Sequence, residues 1–125
     1  MRGVYDTMRT IKFRFYKNNK LVGEQELKPN GIIDMAYEWD HACQFTGLLD
    51  RIGKEIYEGD IIQGHPYSLH PVEVYWEQGL CSYEVRRGAW SSHCLDYSGE
   101  NDMGYQPLEV IGNIYENPEL FEGNR

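Results

Sequence analysis

The chain has 125 residues, of which 26% are charged and 41% hydrophobic; four Phe, three Trp and ten Tyr supply large side chains, and the formal net charge is −8. That length ordinarily makes one domain with a real core, and the composition excludes an extended disordered chain. No stretch approaches the roughly 20 apolar residues of a membrane helix, and the start, Met1-Arg2-Gly3-Val4-Tyr5-Asp6, lacks the apolar centre of a signal peptide, so the expected address is cytoplasmic with no membrane partner.

Charge is distributed unevenly. Residues 1–20 hold six basic side chains against Asp6, leaving −13 on the remainder, which disfavours phosphate binding over a broad surface. Three cysteines, Cys43, Cys81 and Cys94, are an odd count that suits reduced, mostly buried thiols better than a disulfide framework.

Residues 9–120 read as one domain and 121–125 as a tail. "IKFRFY" (11–16) alternates, which predicts a half-buried strand with Ile11, Phe13 and Phe15 inward and Lys12, Arg14 and Tyr16 outward. Asn18-Asn19 tolerates positive φ and closes a hairpin with "LVGEQEL" (21–27). Residues 32–42 read as a helical turn or a loop. "CQFTGLL" begins a strand at Cys43 that runs into Asp50-Arg51-Ile52-Gly53, where Asp suits the first turn position and Gly53 a left-handed one.

"KEIY" returns from that turn and reaches the acid-glycine-acid corner Glu58-Gly59-Asp60. "GHPYSLHP" reads as an exposed loop. "VEVYW" (72–76), with Val72, Val74 and Trp76 inward, turns at Gln78-Gly79 into "LCSYEVRR" (80–87). Residues 88–104 read as a long connection, and "PLEVIGNIY" (107–115) as a last strand stopped by Asn117-Pro118. Six or seven short strands with little helix predict an all-β (mainly β) fold, a small and strongly bent barrel.

The blocks "FTGLLDRIGKEIYEGDII" (45–62), "IKFRFY" near the start and "EVIGNIYENPEL" (109–120) near the end closely resemble the YopX family of small phage and prophage proteins. The resemblance implies a mostly β fold with an SH3-like barrel portion, long loops and an origin in a phage or integrated prophage. It brings no established activity, and so no catalytic residues to carry over. Where the family usually shows Ala-Trp this chain has Phe15-Tyr16, and where it often shows Asn-Gly this chain has Ile52-Gly53. The seven residues before Met8 look like an extension beyond the usual family start, so the resemblance implies an N-terminal extension over residues 1–8.

Groups able to carry chemistry are few. His41, Cys43, His93 and Cys94 are a ligand set zinc accepts, but the spacing matches no familiar knuckle and there is no Cys-x-x-Cys. Cys94, His93 and Asp96 offer a nucleophile with a base, yet adjacent residues of an extended chain point apart. Glu55, Glu58 and Asp60 read as solvated carboxylates in an acidic chain, and Glu58-Gly59-Asp60 as a structural corner rather than a site, its two acids facing solvent or satisfying nearby backbone N–H groups. No P-loop, dinucleotide Gly pattern or nucleophile elbow is present, so neither an enzyme nor a cofactor is expected.

Two binding readings lead, with an unrecognised enzyme or metal-binding protein third. Lys12, Arg14, Tyr16 and Lys17, extended by Arg86 and Arg87, form a candidate nucleic-acid face of the kind on which small barrels stack bases. Tyr67, Tyr75, Tyr97 and Tyr105, with Tyr5 and Tyr83, offer amphipathic anchors for a protein partner, and the acidic surroundings would steer a basic one. The favoured expectation is a host or phage protein as partner, with self-association as a further outcome. A sharper form is a host-directed inhibitor that presents carboxylates as a nucleic-acid mimic.

Overall fold

A computed structural model describes residues 10–27, 38–65, 68–88, 90–92 and 104–122. Asn18 and Asn19 both take positive φ, 52° and 63°, and close a two-residue turn between β1 (Lys12–Lys17) and β2 (Lys20–Glu26) as expected. Phe15 pairs with Gly23 and Tyr16 with Leu21, so Val22 is an extra residue that bends β2. On its other side β1 pairs antiparallel with β3 (His41–Leu49), and β3 pairs with β4 (Glu55–Tyr57), giving a four-stranded sheet in the order β2-β1-β3-β4.

A second bend lies in β3. Phe45 stands opposite Tyr57 and Leu49 opposite Glu55, so Thr46, Gly47 and Leu48 face Ile56 alone. Gly47 takes φ 90°, while the Thr46 hydroxyl donates to the Ile56 carbonyl (2.7 Å) and accepts from the Leu48 N–H (3.1 Å), which satisfies backbone groups the bulge would orphan. The turn that follows is held by buried Asp50. Its carboxylate accepts the N–H groups of Ile52 (3.0 Å), Lys54 (2.9 Å) and Val110 (3.1 Å), and Gly53 adopts the expected positive φ, 88°.

From β4 the chain crosses into a five-stranded sheet in the order β8-β7-β6-β5-β9, built from β5 (Asp60–Gln63), β6 (Val72–Glu77), β7 (Ser82–Arg87), β8 (Trp90–Ser92) and β9 (Glu109–Asn113). Ile62, Val72, Val74, Val85, Leu108 and Val110 form its core with Ile56, and Leu48 and Tyr83 pack against them. The core therefore includes residues from both sheets. A one-turn helix α1 (Glu119–Glu122) follows β9.

The mainly β expectation agrees with this architecture, but the small, strongly bent barrel does not close. Two open sheets stand in its place, because β4 is only three residues long and the chain leaves the first sheet at Glu58-Gly59 to start another. Tyr16, expected outward, is 2% exposed beside equally buried Phe15. Both faces of β1 are covered there: Phe15 packs on Trp39 with ring centroids 5.5 Å apart, and Tyr16 stacks on Tyr115 at 4.6 Å. Alternation identifies one covered face and is silent about a second.

Trp76, expected inward with Val72 and Val74, is 40% exposed and meets Tyr83 edge-on. A strand, β8, lies within the expected long connection, and α1 runs into the expected tail. Cys43 is a buried free thiol, but Cys81 is exposed in a turn with φ 50°. Residues 1–8, the segment 32–37, Tyr67, His93, Cys94, Asp96 and Tyr97 lie outside the described residues.

Candidate functional site

The two sheets meet at Glu58-Gly59. Tyr57 ends β4 and Asp60 begins β5, so the corner is a crossing two residues long. Glu58 N–H donates to the Gln44 carbonyl (2.9 Å), Gly59 N–H donates to the Val74 carbonyl (2.8 Å), and Ile114 N–H donates to the Gly59 carbonyl (2.9 Å). Gly59 takes φ 88°, and a Cβ there would lie 3.1 Å from Tyr115 Cε2 and 3.6 Å from Cys43 Sγ. Glycine is required both by the backbone conformation and by the close approach of that ring.

Asp60 is not solvated but takes the other role expected at the corner, accepting a backbone N–H. It is 1% exposed, and its carboxylate accepts the Tyr57 N–H at 2.8 Å. Burial pushes its pKa up to about 7, against the opposing pull of that N–H, of Arg14 and of Lys54. Arg14 reaches this region from β1 with its guanidinium 4.0 Å over the Tyr57 ring, and Glu24 lies 3.7 Å from its Nε. Glu55 is not simply solvated either, because it pairs with Lys12 at 2.7 Å and lies 3.1 Å from the Tyr57 hydroxyl.

Beside the corner opens a cleft of about 380 Å³, walled by the start of β3, the corner, β6, β7 and the segment after β9. Three carboxylates line it, Asp40, Glu58 and Glu73, together with the rings of His41, Tyr75, Trp76 and Tyr115. The His41 and Tyr115 ring centroids are 4.7 Å apart. Also in the lining, the Cys43 thiol donates to the Tyr115 hydroxyl at 3.3 Å, and burial pushes the Cys43 pKa up to about 11. This thiol is protonated at neutral pH and serves as a donor, the opposite of an activated nucleophile. Burial likewise raises the Tyr115 pKa. Among the described residues no group of three or more His, Cys, Asp or Glu is placed to hold a metal ion.

The six residues of the candidate nucleic-acid face are not brought into one free patch. Lys12 is engaged with Glu55, Arg14 with Glu24 and Tyr57, and Lys17 with Glu38 at 3.4 Å. Tyr16 is buried. Arg86, in the other sheet, pairs with Glu73 at 3.2 Å, while Arg87 donates to the Pro71 and Phe121 carbonyls at 2.9 Å each. Of the candidate interface tyrosines, Tyr75 lines the cleft, whereas Tyr105 packs so closely on Gly53 that a Cβ there would meet its hydroxyl at 2.8 Å.

Tyr115 and Asp50, which organise the cleft and the turn, escaped the sequence reading as anything beyond a strand end and a turn residue. For Tyr115 the available signal was local: Asn113 stands two residues earlier, and its side-chain oxygen accepts the Tyr115 and Glu116 N–H groups at 3.0 and 2.8 Å.

Fold and site together define a mainly β protein of two sheets joined at a glycine crossing, with an acidic, aromatic-lined cleft beside the crossing. The family model described as YopX protein matches residues 5–122, and the chain belongs to the YopX family. Among solved structures it is similar to the crystal structure of protein EF1440 from Enterococcus faecalis, with 23% identity over 91% of this chain and 99% of that one and a TM-score of 0.52, a likeness of fold. No curated protein matches the chain. Among the described residues no helix is long and apolar enough to cross a membrane.

Proposed function

We propose that this is a phage- or prophage-encoded protein of the bacterial cytoplasm that acts by binding another protein and performs no catalysis of its own. The observation that carries this reading is the cleft, where three carboxylates and four aromatic rings converge beside a corner fixed by backbone hydrogen bonds. Aromatic rings with polar tips supply contact area at low entropic cost, and a carboxylate-rich rim steers a basic partner. The chain's own cations support it further, since Lys12, Arg14, Lys17, Arg51 and Arg86 each lie against a carboxylate of the same molecule.

The test is co-purification of the tagged protein from infected or prophage-induced cells, followed by mass spectrometry, with nuclease treatment as the control. A specific protein that survives nuclease is the expected result. Recovery of nucleic acid alone would refute the reading and shift the functional face to Lys12, Lys17, Arg86 and Arg87.

A further inference from the structure

Strand β7 presents a guanidinium to the cleft from within the molecule. Arg86 lies with its guanidinium carbon 4.3 Å over the Tyr75 ring and directs a fork onto Glu73, Nε to Oε1 at 3.3 Å and Nη2 to Oε2 at 3.2 Å. Its side chain is 46% exposed, so this contact sits on the rim and not in the core. Arg14 over Tyr57 repeats the arrangement inside the sheet junction. At Arg14 and Arg86 a tyrosine face beside a carboxylate thus holds a guanidinium, a planar cation that stacks and forks where an ammonium does neither.

The same cleft holds two further carboxylates beside aromatic rings. Glu58 and Asp40 line it together with the rings of Tyr115, His41 and Trp76. Glu58 accepts the Gln44 N–H at 3.4 Å and Asp40 accepts the Asn18 N–H at 2.9 Å, and neither donor is a cation. With three carboxylates and one arginine, the lining is complementary to an added positive charge and repels a phosphate.

We infer that the cleft receives an arginine side chain from an exposed basic segment of a partner protein, its guanidinium forked on Glu58 beside the rings of His41 and Trp76, with Arg86 as an internal competitor at the rim. This rests on the protein-binding reading above and names the chemistry of the partner. Arg86 sets selectivity in this arrangement, because an entering arginine can use Glu73 and Tyr75 only as Arg86 yields them.

The test is a titration of the isotope-labelled full-length protein with N-acetyl-arginine amide, followed by backbone amide shifts. N-acetyl-citrulline amide serves as the uncharged isostere and N-acetyl-lysine amide as the second cation. Saturating shifts at His41, Gly59 and Tyr115 are expected with arginine and not with citrulline or lysine. Glu58→Gln should weaken arginine binding about fivefold and Arg86→Gln should strengthen it about threefold, the scale of a partly exposed charge pair. Unchanged spectra elsewhere in both variants exclude a folding defect.

Shifts of equal size from citrulline or lysine, an unaltered affinity in Glu58→Gln, or no saturable binding would each overturn the inference. The same variant separates the two proposals. A protein recovered from cells equally by the wild type and Glu58→Gln leaves the binding reading intact and removes the cleft arginine.

Discussion

Replacing Asp60 by asparagine tests the most costly feature of the sheet crossing. The native fold holds a carboxyl with a pKa of about 7 where the ordinary value is 3.8. The native state therefore binds the proton more tightly than the unfolded chain does. Stability falls as pH rises from about 4 to about 7 and levels off above that, with a total loss of about 4 kcal/mol at about 1.4 kcal/mol per pH unit. The Asp60→Asn side chain keeps an oxygen able to accept the Tyr57 N–H, which lies 2.8 Å from the native carboxylate, but has no charge to desolvate.

Urea denaturation followed by tryptophan fluorescence reads this directly. Between about pH 5 and pH 8, the stability of Asp60→Asn relative to the wild type should rise by about 2 to 3 kcal/mol. A difference that stays constant across that range would show that ionising Asp60 costs the fold nothing, its partners offsetting the burial completely.

Asp50→Ala should cost at least about 3 kcal/mol in the same assay, since three backbone N–H groups lose their acceptor at a buried position. Gly59→Ala should cost about 2 kcal/mol or more, through its φ of 88° and the Tyr115 ring 3.1 Å from the new Cβ, whereas Glu58→Gln should leave stability almost unchanged. The reverse ranking would make the corner a ligand site first and a bend second. In single-cysteine variants, a thiol reagent at neutral pH should modify Cys81 promptly and Cys43 only after denaturation, because Cys43 is buried with its pKa pushed up to about 11; equal rates would refute its burial.

Local chemistry was legible in the sequence. Asn18-Asn19 and Gly53 take the positive φ their residue types allow, and alternation located β1 and β6. What stayed hidden depends on contacts distant along the chain. The reading of Asp50 as a turn residue was correct, but its third hydrogen bond goes to Val110, 60 residues on, and no local pattern reveals it. Tyr16 shares its alternation with Lys12 and Arg14, and only the arrival of Tyr115 decides that it is buried. Asp60 was expected in water because carboxylates usually are, whereas the crossing encloses it. The cleft itself is assembled from segments between Asp40 and Tyr115, none of which signals a site alone.

The division of the chain at Gly59 also bears on how the protein is made. One sheet is drawn from residues 12–57 and the other from 60–113, so a ribosome delivers them in succession. While the first half waits, Asp50 has Ile52 and Lys54 at hand but not Val110, and Ile56 has yet to meet Leu108 or Val72. The nascent N-terminal half can pair its hairpin but cannot close its interior. A transcript broken before codon 110 would therefore yield a chain that the cell's proteases clear instead of a half-working product.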